Sequence, residues 1–207
     1  MSELNHGLLD GACGYLSGPM EFVADHGIEW RRKFVKQIKE ANLNIDLIDP
    51  TDPTDKPGGI DEKIGENKQF QSDLKKQGKW DELQKYVKKY RRYDLRFVDL
   101  SDFLVVVIDP RVPQWGTANE VYAAETQHKP CFFICDGGLP NLPNWLFDII
   151  DLPESNCPEK RCNVFAKIED VVEELRLIDS GKIQMSDEWV LIRKHIEINR
   201  INFNKIK

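Results

Sequence analysis

The sequence predicts a doubly wound α/β fold, similar in topology to flavodoxin and Rossmann folds, with a mostly parallel five-stranded sheet and helices on both faces. Short apolar runs alternate with segments in which apolar residues recur every three or four positions, the order expected of β-α-β units. Residues 103–109 (FLVVVID) are apolar almost throughout, as a central parallel strand buried on both faces should be. The 207 residues are 41% hydrophobic and 31% charged, which suits a single α/β domain, 1–207, with a sizeable core.

The chain begins with a β-α-β unit. Residues 13–17 (CGYLS) form an apolar strand that stops at the breaker pair Gly18-Pro19. Residues 28–41 carry apolar side chains at helical spacing, with Lys and Arg between them. A second short strand follows at 43–49 (LNIDLID), and this order favours parallel pairing of the two strands.

The middle of the chain contains its longest polar segment. Residues 50–78 are rich in Pro, Gly and Asp and hold few apolar anchors, so we expect a long loop or flexible lid there. Helical spacing returns over 80–100 and leads into the central strand at 103–109. A helix rich in small residues then runs from 117 to 127.

The last third of the chain completes the sheet. A buried strand is predicted at 130–136 (PCFFICD), followed by a short helix around 144–150. A strand at 163–165 then precedes a helix at 168–177. The tail at 186–199 is amphipathic, and we expect it to be helical.

Composition and charge exclude several classes of partner. A net charge of −6 argues against binding duplex DNA or an anionic membrane by bulk electrostatics. No apolar run approaches the length of a bilayer span, and the N-terminus lacks the pattern of a secretory leader. The cysteines are odd in number, five, and three lie in apolar strands as buried free thiols, which fits a reducing compartment. We therefore expect a cytoplasmic protein that binds neither nucleic acid nor membranes.

No sequence pattern indicates a metal or a cofactor. Cys157 and Cys162 lie close together, but two thiols with no His nearby do not complete a zinc site. No Gly-rich phosphate loop and no Gly-x-Gly-x-x-Gly follows a predicted strand, so ATP and dinucleotides are not expected ligands.

In doubly wound sheets, ligands bind outside the carboxyl ends of the strands. The segments after the first and central strands would therefore line a site. The candidate substrate-binding residues there are Gly18, Pro19, Asp109, Gln114, Trp115 and Gly116.

Glu120, close behind the central strand, admits two interpretations. Thr117-x-x-Glu120 matches a helix capping box, with Gly116 making the turn before it. Alternatively, a carboxylate in the first helical turn at the mouth of a parallel sheet is favoured in its ionised form and is aimed at a ligand. Trp115 beside it offers a flat apolar face for an aromatic ring.

Three segments, taken in order, resemble the nucleoside 2-deoxyribosyltransferase family. They are GYLSGPM (14–20), YDLRFVDLSDFLVVVIDP (93–110) and WGTANEVYAAETQHKP (115–130). In that family a Tyr-hydrophobic-x-Gly-Pro element ends the first strand, and an Asp lies upstream of an apolar strand. A Gly-x-x-x-Glu helix start then supplies the nucleophile before a Lys-Pro strand start. The resemblance extends over residues 13–136, with a looser match beyond.

The resemblance implies a role for each matching residue. Glu120 would attack the anomeric carbon of a nucleoside's sugar, and Asp94 would hold the base and help manage the proton on the leaving nucleobase. Tyr15 would lie near Glu120 and orient it, and Gly18 would let the backbone approach the substrate. Asn144 would reach a neighbouring subunit's site, so we expect a homo-oligomer, most simply a dimer.

The reaction implied is transfer of a (2-deoxy)ribosyl group between nucleobases. Cleavage of an N-glycosidic bond passes through an oxocarbenium-like state, which a carboxylate can stabilise and then capture covalently. A second base then takes the sugar, with net retention of configuration. The partners are a nucleoside or nucleotide and a free nucleobase, and the chemistry requires neither a metal nor a redox cofactor.

One departure from the family pattern keeps alternatives open. The family often has an acidic residue six positions before the nucleophile, where this chain has Gln114, which can bind a base edge but cannot donate a proton as an acid. One alternative is a nucleoside monophosphate hydrolase, in which Arg91 and Arg92, part of a basic run, clamp a 5′-phosphate. The other is a non-catalytic nucleotide-binding module on the same fold.

Overall fold

A computed structural model describes residues 7–52, 64–152 and 161–183 of the chain. An all-parallel, five-stranded sheet with helices on both faces confirms the predicted doubly wound α/β fold. The strands are β1 (Ala12–Ser17), β2 (Ile45–Ile48), β3 (Phe103–Ile108), β4 (Cys131–Cys135) and β5 (Val164–Phe165). The helices are α1 (Ile28–Glu40), α2 (Ile64–Lys76), α3 (Trp80–Leu100), α4 (Trp115–Glu125) and α5 (Ile168–Asp179).

The strand order places a crevice between β1 and β3. The order is β2-β1-β3-β4-β5, so the chain moves outward from β1 to β2 and then crosses to β3 on the other side of β1. At such a switch point the connections leave in opposite directions, and a crevice opens at the carboxyl edge of the sheet. Ser17, the last residue of β1, pairs in register with Val106 of β3. The crevice therefore lies just beyond these two residues.

The two faces of the sheet bury separate apolar clusters. Phe103 and Val105 of β3 pack with side chains of α1 and α5, whereas Leu104 and Val106 pack with side chains of α3 and α4. Because both faces are covered, β3 needs an apolar side chain at nearly every position, which explains its continuous apolar run. Tyr15 of β1 belongs to the second cluster, on the side of α3 and α4.

The prediction of a loop at 50–78 was wrong for the second half of this segment, where the chain forms α2. Leu74 is buried, and Phe70 packs edge-on against Tyr86 of α3 with ring centroids 5.1 Å apart. Packing against α3 thus stabilises a helix whose polar composition gives little local sign of it. Residues 53–63 of the predicted loop, and the predicted helical tail at 186–199, lie outside the described residues.

Two further properties bear on the expectations from composition. Cys13, Cys131 and Cys135 are buried free thiols, as the apolar strands around them predict. No helix in the described part of the chain combines the length and the apolar character needed to cross a membrane.

Candidate active site

A cavity of about 460 Å³ lies at the switch point of the sheet. This volume falls within the roughly 300–1,000 Å³ range of small-molecule sites. The cavity is enclosed by the segment after β1, the start of α4, and the facing sides of α2 and α3. Aromatic side chains and a few charged ones line it together, so it can hold an apolar ring system at one side and polar groups at another.

Glu120 is the most buried carboxylate of the cavity and is held from β1. The residue is only 7% exposed. The Tyr15 hydroxyl donates to Oε1 at 3.0 Å, and the Ser17 hydroxyl donates to Oε2. Tyr15 and Ser17 are alternate residues of one strand, so the pleat places both side chains on the same face, toward α4. Both oxygens of the carboxylate are therefore fixed by hydroxyl donors.

The capping-box interpretation of Glu120 was wrong. Helix α4 begins at Trp115 rather than at Thr117. The side chain of Gln114, the residue before the helix, forms no capping hydrogen bond. Glu120 consequently lies in the second turn, and its carboxylate is bonded to β1 instead of reaching back to the helix start. The helix dipole acts mainly within the first turn, so it is not what keeps Glu120 ionised.

Opposing effects set the ionisation of Glu120. Burial raises the pKa of Glu120, while the hydrogen bonds from Ser17 and Tyr15 and the charge of Arg31 lower it, and the balance leaves the pKa above its ordinary value. Burial, together with the charges of Glu120 and Asp94, holds the pKa of Tyr15 well above its ordinary value. Tyr15 is therefore a neutral phenol that donates its proton to the carboxylate.

Arg31 fixes the segment that follows β1. The guanidinium is fully buried and donates to the carbonyl oxygens of Leu16 at 3.1 Å, Gly18 at 3.2 Å and Gly27 at 2.7 Å. Its charge is balanced by Asp49, 3.7 Å away at the end of β2. The end of β1, which carries Ser17, is thus tied by one side chain to the beginning of α1.

Asp94 lines the same cavity from α3. Its neighbours on the cavity side of α3 are Val87, Tyr90 and Phe97, which recur at helical spacing. The charge of Asp94 is close enough to raise the pKa of Tyr15, the residue that donates to Glu120. The structure therefore brings Asp94, Tyr15 and Glu120 to one cavity, although 105 residues separate the last two along the chain.

Five of the predicted binding residues line the cavity, and one of them has an additional structural role. Gly18, Pro19, Trp115 and Gly116 all line the cavity, and the Trp115 ring is 84% exposed at its rim. Gln114 lines it as well.

The amide of Gln114 is engaged with the backbone. Its Oε1 accepts the Asp109 N–H at 2.9 Å, and its Nε2 donates to the Val107 carbonyl at 2.9 Å. The position at which the family often has an acid thus ties the segment after β3 back to the strand.

Two predicted binding residues do not line the cavity of this chain. Asp109 is paired with Arg111 through two hydrogen bonds of 2.8 Å each, and these hold the pKa of the Asp109 carboxyl below its ordinary value. Asn144 is exposed and begins a 3-10 turn at Asn144–Asp148. Its implied reach into a neighbouring subunit stays a prediction.

Sequence reasoning named Tyr15 beside Glu120 but missed Ser17 and Arg31, although signals for both existed. Ser17 is two positions from Tyr15, so any strand that aims one at a ligand also aims the other. Arg31 lies at helical spacing with Phe34 and Ile38, on the side of α1 that packs against the sheet, where a charged residue needs polar partners.

Sequence reasoning also missed one whole wall of the cavity. Lys68, Gln71, Ser72 and Lys75 of α2 line it, whereas the segment was expected to be a loop. Arg91 and Arg92, the predicted phosphate clamp, are exposed and do not line the cavity.

The fold and the cavity together define a doubly wound α/β protein in which two carboxylates, from different helices, line one cavity at the switch point of the sheet. A scan against protein-family models finds none that matches this chain, and a search of curated proteins finds no match either. The resemblance to nucleoside 2-deoxyribosyltransferases therefore rests on the three sequence segments and on the arrangement of their residues. Among the described residues, no group of three or more His, Cys, Asp or Glu side chains is placed to hold a metal ion.

Proposed function

We propose that this protein cleaves the N-glycosidic bond of a nucleoside-type substrate and transfers the (2-deoxy)ribosyl group to a second nucleobase. One observation carries the proposal. Glu120 is a buried carboxylate with both oxygens held by hydroxyl donors, and it lines a ligand-sized cavity that Asp94 also lines. A buried carboxylate with a raised pKa is costly for the folded state, so its place in a cavity is a reason to assign it chemistry.

Glu120 is the nucleophile in this proposal. One carboxylate oxygen bonds to C1′ of the sugar as the C1′–N bond breaks, and the bonding electrons of that bond leave with the base. Tyr15 and Ser17 keep the carboxylate in place, so little orientation has to be gained at the moment of attack. In the second step a nitrogen of the incoming base attacks C1′. The ester bond between C1′ and the Glu120 oxygen breaks, and the carboxylate is restored.

Asp94 serves the base in this proposal. The departing nitrogen needs a proton, which Asp94 or a water molecule supplies, and the incoming base returns one in the second step. Tyr90 and Tyr93 line the cavity beside Asp94, and Trp115 lies at the rim. These rings offer flat apolar faces for a planar base.

Base exchange tests the proposal. The protein is incubated with a panel of nucleosides and their 5′-monophosphates, each with a second free base, and the products are separated by chromatography. We expect an exchanged product. Glu120→Gln should lower the rate of exchange by at least about 10³-fold, because a neutral amide is a far weaker nucleophile toward C1′ than a carboxylate. Glu125→Gln, an exposed carboxylate on the same helix, is the matched control and keeps the rate.

Two results would overturn the proposal. One is the absence of both exchanged product and released base across the whole panel. The other is ligand binding with no turnover together with unchanged affinity in Glu120→Gln, which is the behaviour of a binding module.

A further inference from the structure

The polar face of α2 is turned toward the cavity. Lys68, Gln71, Ser72 and Lys75 follow the spacing i, i+3, i+4, i+7, which places them on one side of a helix, and all of them line the cavity. Leu74, in contrast, is buried. The helix therefore packs through its few apolar side chains and presents its cations and hydrogen-bonding groups to whatever occupies the cavity.

Lys68 is anchored at the cavity wall. The ammonium donates to the Met20 carbonyl and lies 2.7 Å from Nδ1 of His26, both in the segment that follows β1. Burial lowers the pKa of Lys68, while the charges of Glu21 and Asp25 raise it. The cation is therefore partly stripped of water at a fixed place, a cost that a bound anion offsets.

The charges of the cavity are divided between its walls. Asp94 and Glu120 come from α3 and α4, and Lys68 and Lys75 come from α2. The third cation, Arg31, is already committed to backbone carbonyls and Asp49. An anionic group on a ligand is thus favoured beside α2 and disfavoured beside the carboxylates. Glu21, in the segment after β1, also lines the cavity. The lining residues of α2 include two lysines, so α2 is the more cationic wall.

We propose that the polar face of α2 recognises a phosphomonoester, and that the preferred substrates are nucleoside 5′-monophosphates rather than nucleosides. This inference rests on the proposed function, which puts the sugar's C1′ at Glu120. In a nucleoside the 5′ group is attached at C4′, across the ring oxygen from C1′, so a 5′-phosphate lies several bonds from the carbon that Glu120 attacks. A phosphate there offers several acceptor oxygens. The two ammonium groups, the Ser72 hydroxyl and the Gln71 amide supply donors for them.

The α2 wall replaces the phosphate clamp that the sequence suggests. The basic run of α3 predicts Arg91 and Arg92 as the clamp of a nucleotide hydrolase, but Arg91 donates to Asn119 on the exposed side of α3. Lys68 and Lys75 take that role within the cavity.

Calorimetric titration tests the inference separately from the chemistry. Glu120→Gln protein, which does not consume ligand in the proposed mechanism, is titrated with 2′-deoxynucleosides and ribonucleosides and with the matching 5′-monophosphates. We expect the monophosphates to bind about ten- to a hundredfold more tightly, the gain typical of charge-assisted hydrogen bonds. Inorganic phosphate should compete with the monophosphates and not with the nucleosides.

Variants of α2 locate the effect. Lys75→Met, at an exposed position, and Lys68→Met should each lower the affinity for monophosphates about tenfold more than the affinity for nucleosides. Lys76→Met is the control, since Lys76 lies on the same helix, outside the cavity lining, beside Asp73. Thermal melts of all variants establish that they are folded, and Lys68→Arg should keep most of the preference.

The outcomes are distinct. Equal affinity for nucleosides and monophosphates, or equal losses in Lys75→Met and Lys76→Met, would overturn the inference even where base exchange of nucleosides succeeds. A phosphate preference lost in Lys75→Met supports the inference even in a protein that shows no turnover, in which case only the proposed function fails.

Discussion

The surroundings of Glu120 disfavour the ionised form of its carboxyl group. Burial raises the pKa of Glu120, and hydrogen bonds from Ser17 and Tyr15 and the nearby Arg31 only partly offset this. A raised pKa means that Glu120 takes up its proton at a higher pH than an exposed glutamate does, and a protonated carboxyl is a poor nucleophile. In the proposed mechanism, kcat/KM therefore falls as the pH drops through the pKa of Glu120.

Replacing Tyr15 by Phe should move that acidic limb to higher pH. The Tyr15 hydroxyl stabilises the ionised form of Glu120, so its loss raises the pKa of Glu120 further. The measurement is the pH dependence of kcat/KM for the substrate that the exchange assay identifies. Tyr122→Phe, an exposed tyrosine on the same helix as Glu120, serves as control and should leave the profile unchanged. An acidic limb that stays in place or moves to lower pH in Tyr15→Phe would contradict this description of the carboxylate.

At the scale of elements, the junction between β3 and α4 depends on the side-chain amide of Gln114, which forms hydrogen bonds with the backbone as a peptide group would. The Gln114 amide accepts from the Asp109 N–H and donates to the Val107 carbonyl, so the turn that carries Trp115 is attached to the strand. The family pattern suggests an acid at this position, but the contacts show an amide whose donor and acceptor are both used.

Gln114→Glu should therefore weaken the protein rather than supply a proton donor. A glutamate has no N–H for the Val107 carbonyl, so two oxygen atoms would face each other. We expect a loss of about 1–3 kcal/mol in the free energy of unfolding, measured by urea denaturation, and no gain in exchange rate. Gln84→Glu, on the exposed side of α3 beside Lys88, is the control and should be neutral or slightly stabilising. A faster Gln114→Glu enzyme of unchanged stability would show instead that this position takes part in proton transfer.

For the whole molecule, the sheet was predictable because its strands are defined locally. The apolar run of β3 implies burial on both faces, and α1 and α3 show their packing sides as spaced apolar residues. Once the alternation of strands and helices is known, the carboxyl ends of β1 and β3 must share one edge. That geometry predicted that the segments after β1 and β3 line one site. The placement of Tyr15 near Glu120 came from the family resemblance, and the structure has the two side chains hydrogen-bonded.

The parts that escaped prediction depend on partners far along the chain. Helix α2 has few apolar residues of its own and is stabilised by α3, so composition alone suggested a loop. Ser17 gains its role from Glu120, 103 residues away in the sequence. Arg31 gains its role mainly from the carbonyls of Leu16 and Gly18, 15 and 13 residues away on another element. The capping-box motif misled because the local pattern is satisfied equally by a helix that begins two residues earlier.

The most direct test of the central claim is to identify the residue of the enzyme to which the sugar becomes covalently attached. Protein incubated with a substrate that it turns over, in the absence of an acceptor base, is quenched with acid and digested, and its peptides are analysed by mass spectrometry. The proposed mechanism predicts a glycosyl adduct on Glu120 that disappears when an acceptor base is added before the quench. An adduct on a different carboxylate, or an adduct on Glu120 that persists when acceptor is added while exchange proceeds, would contradict it.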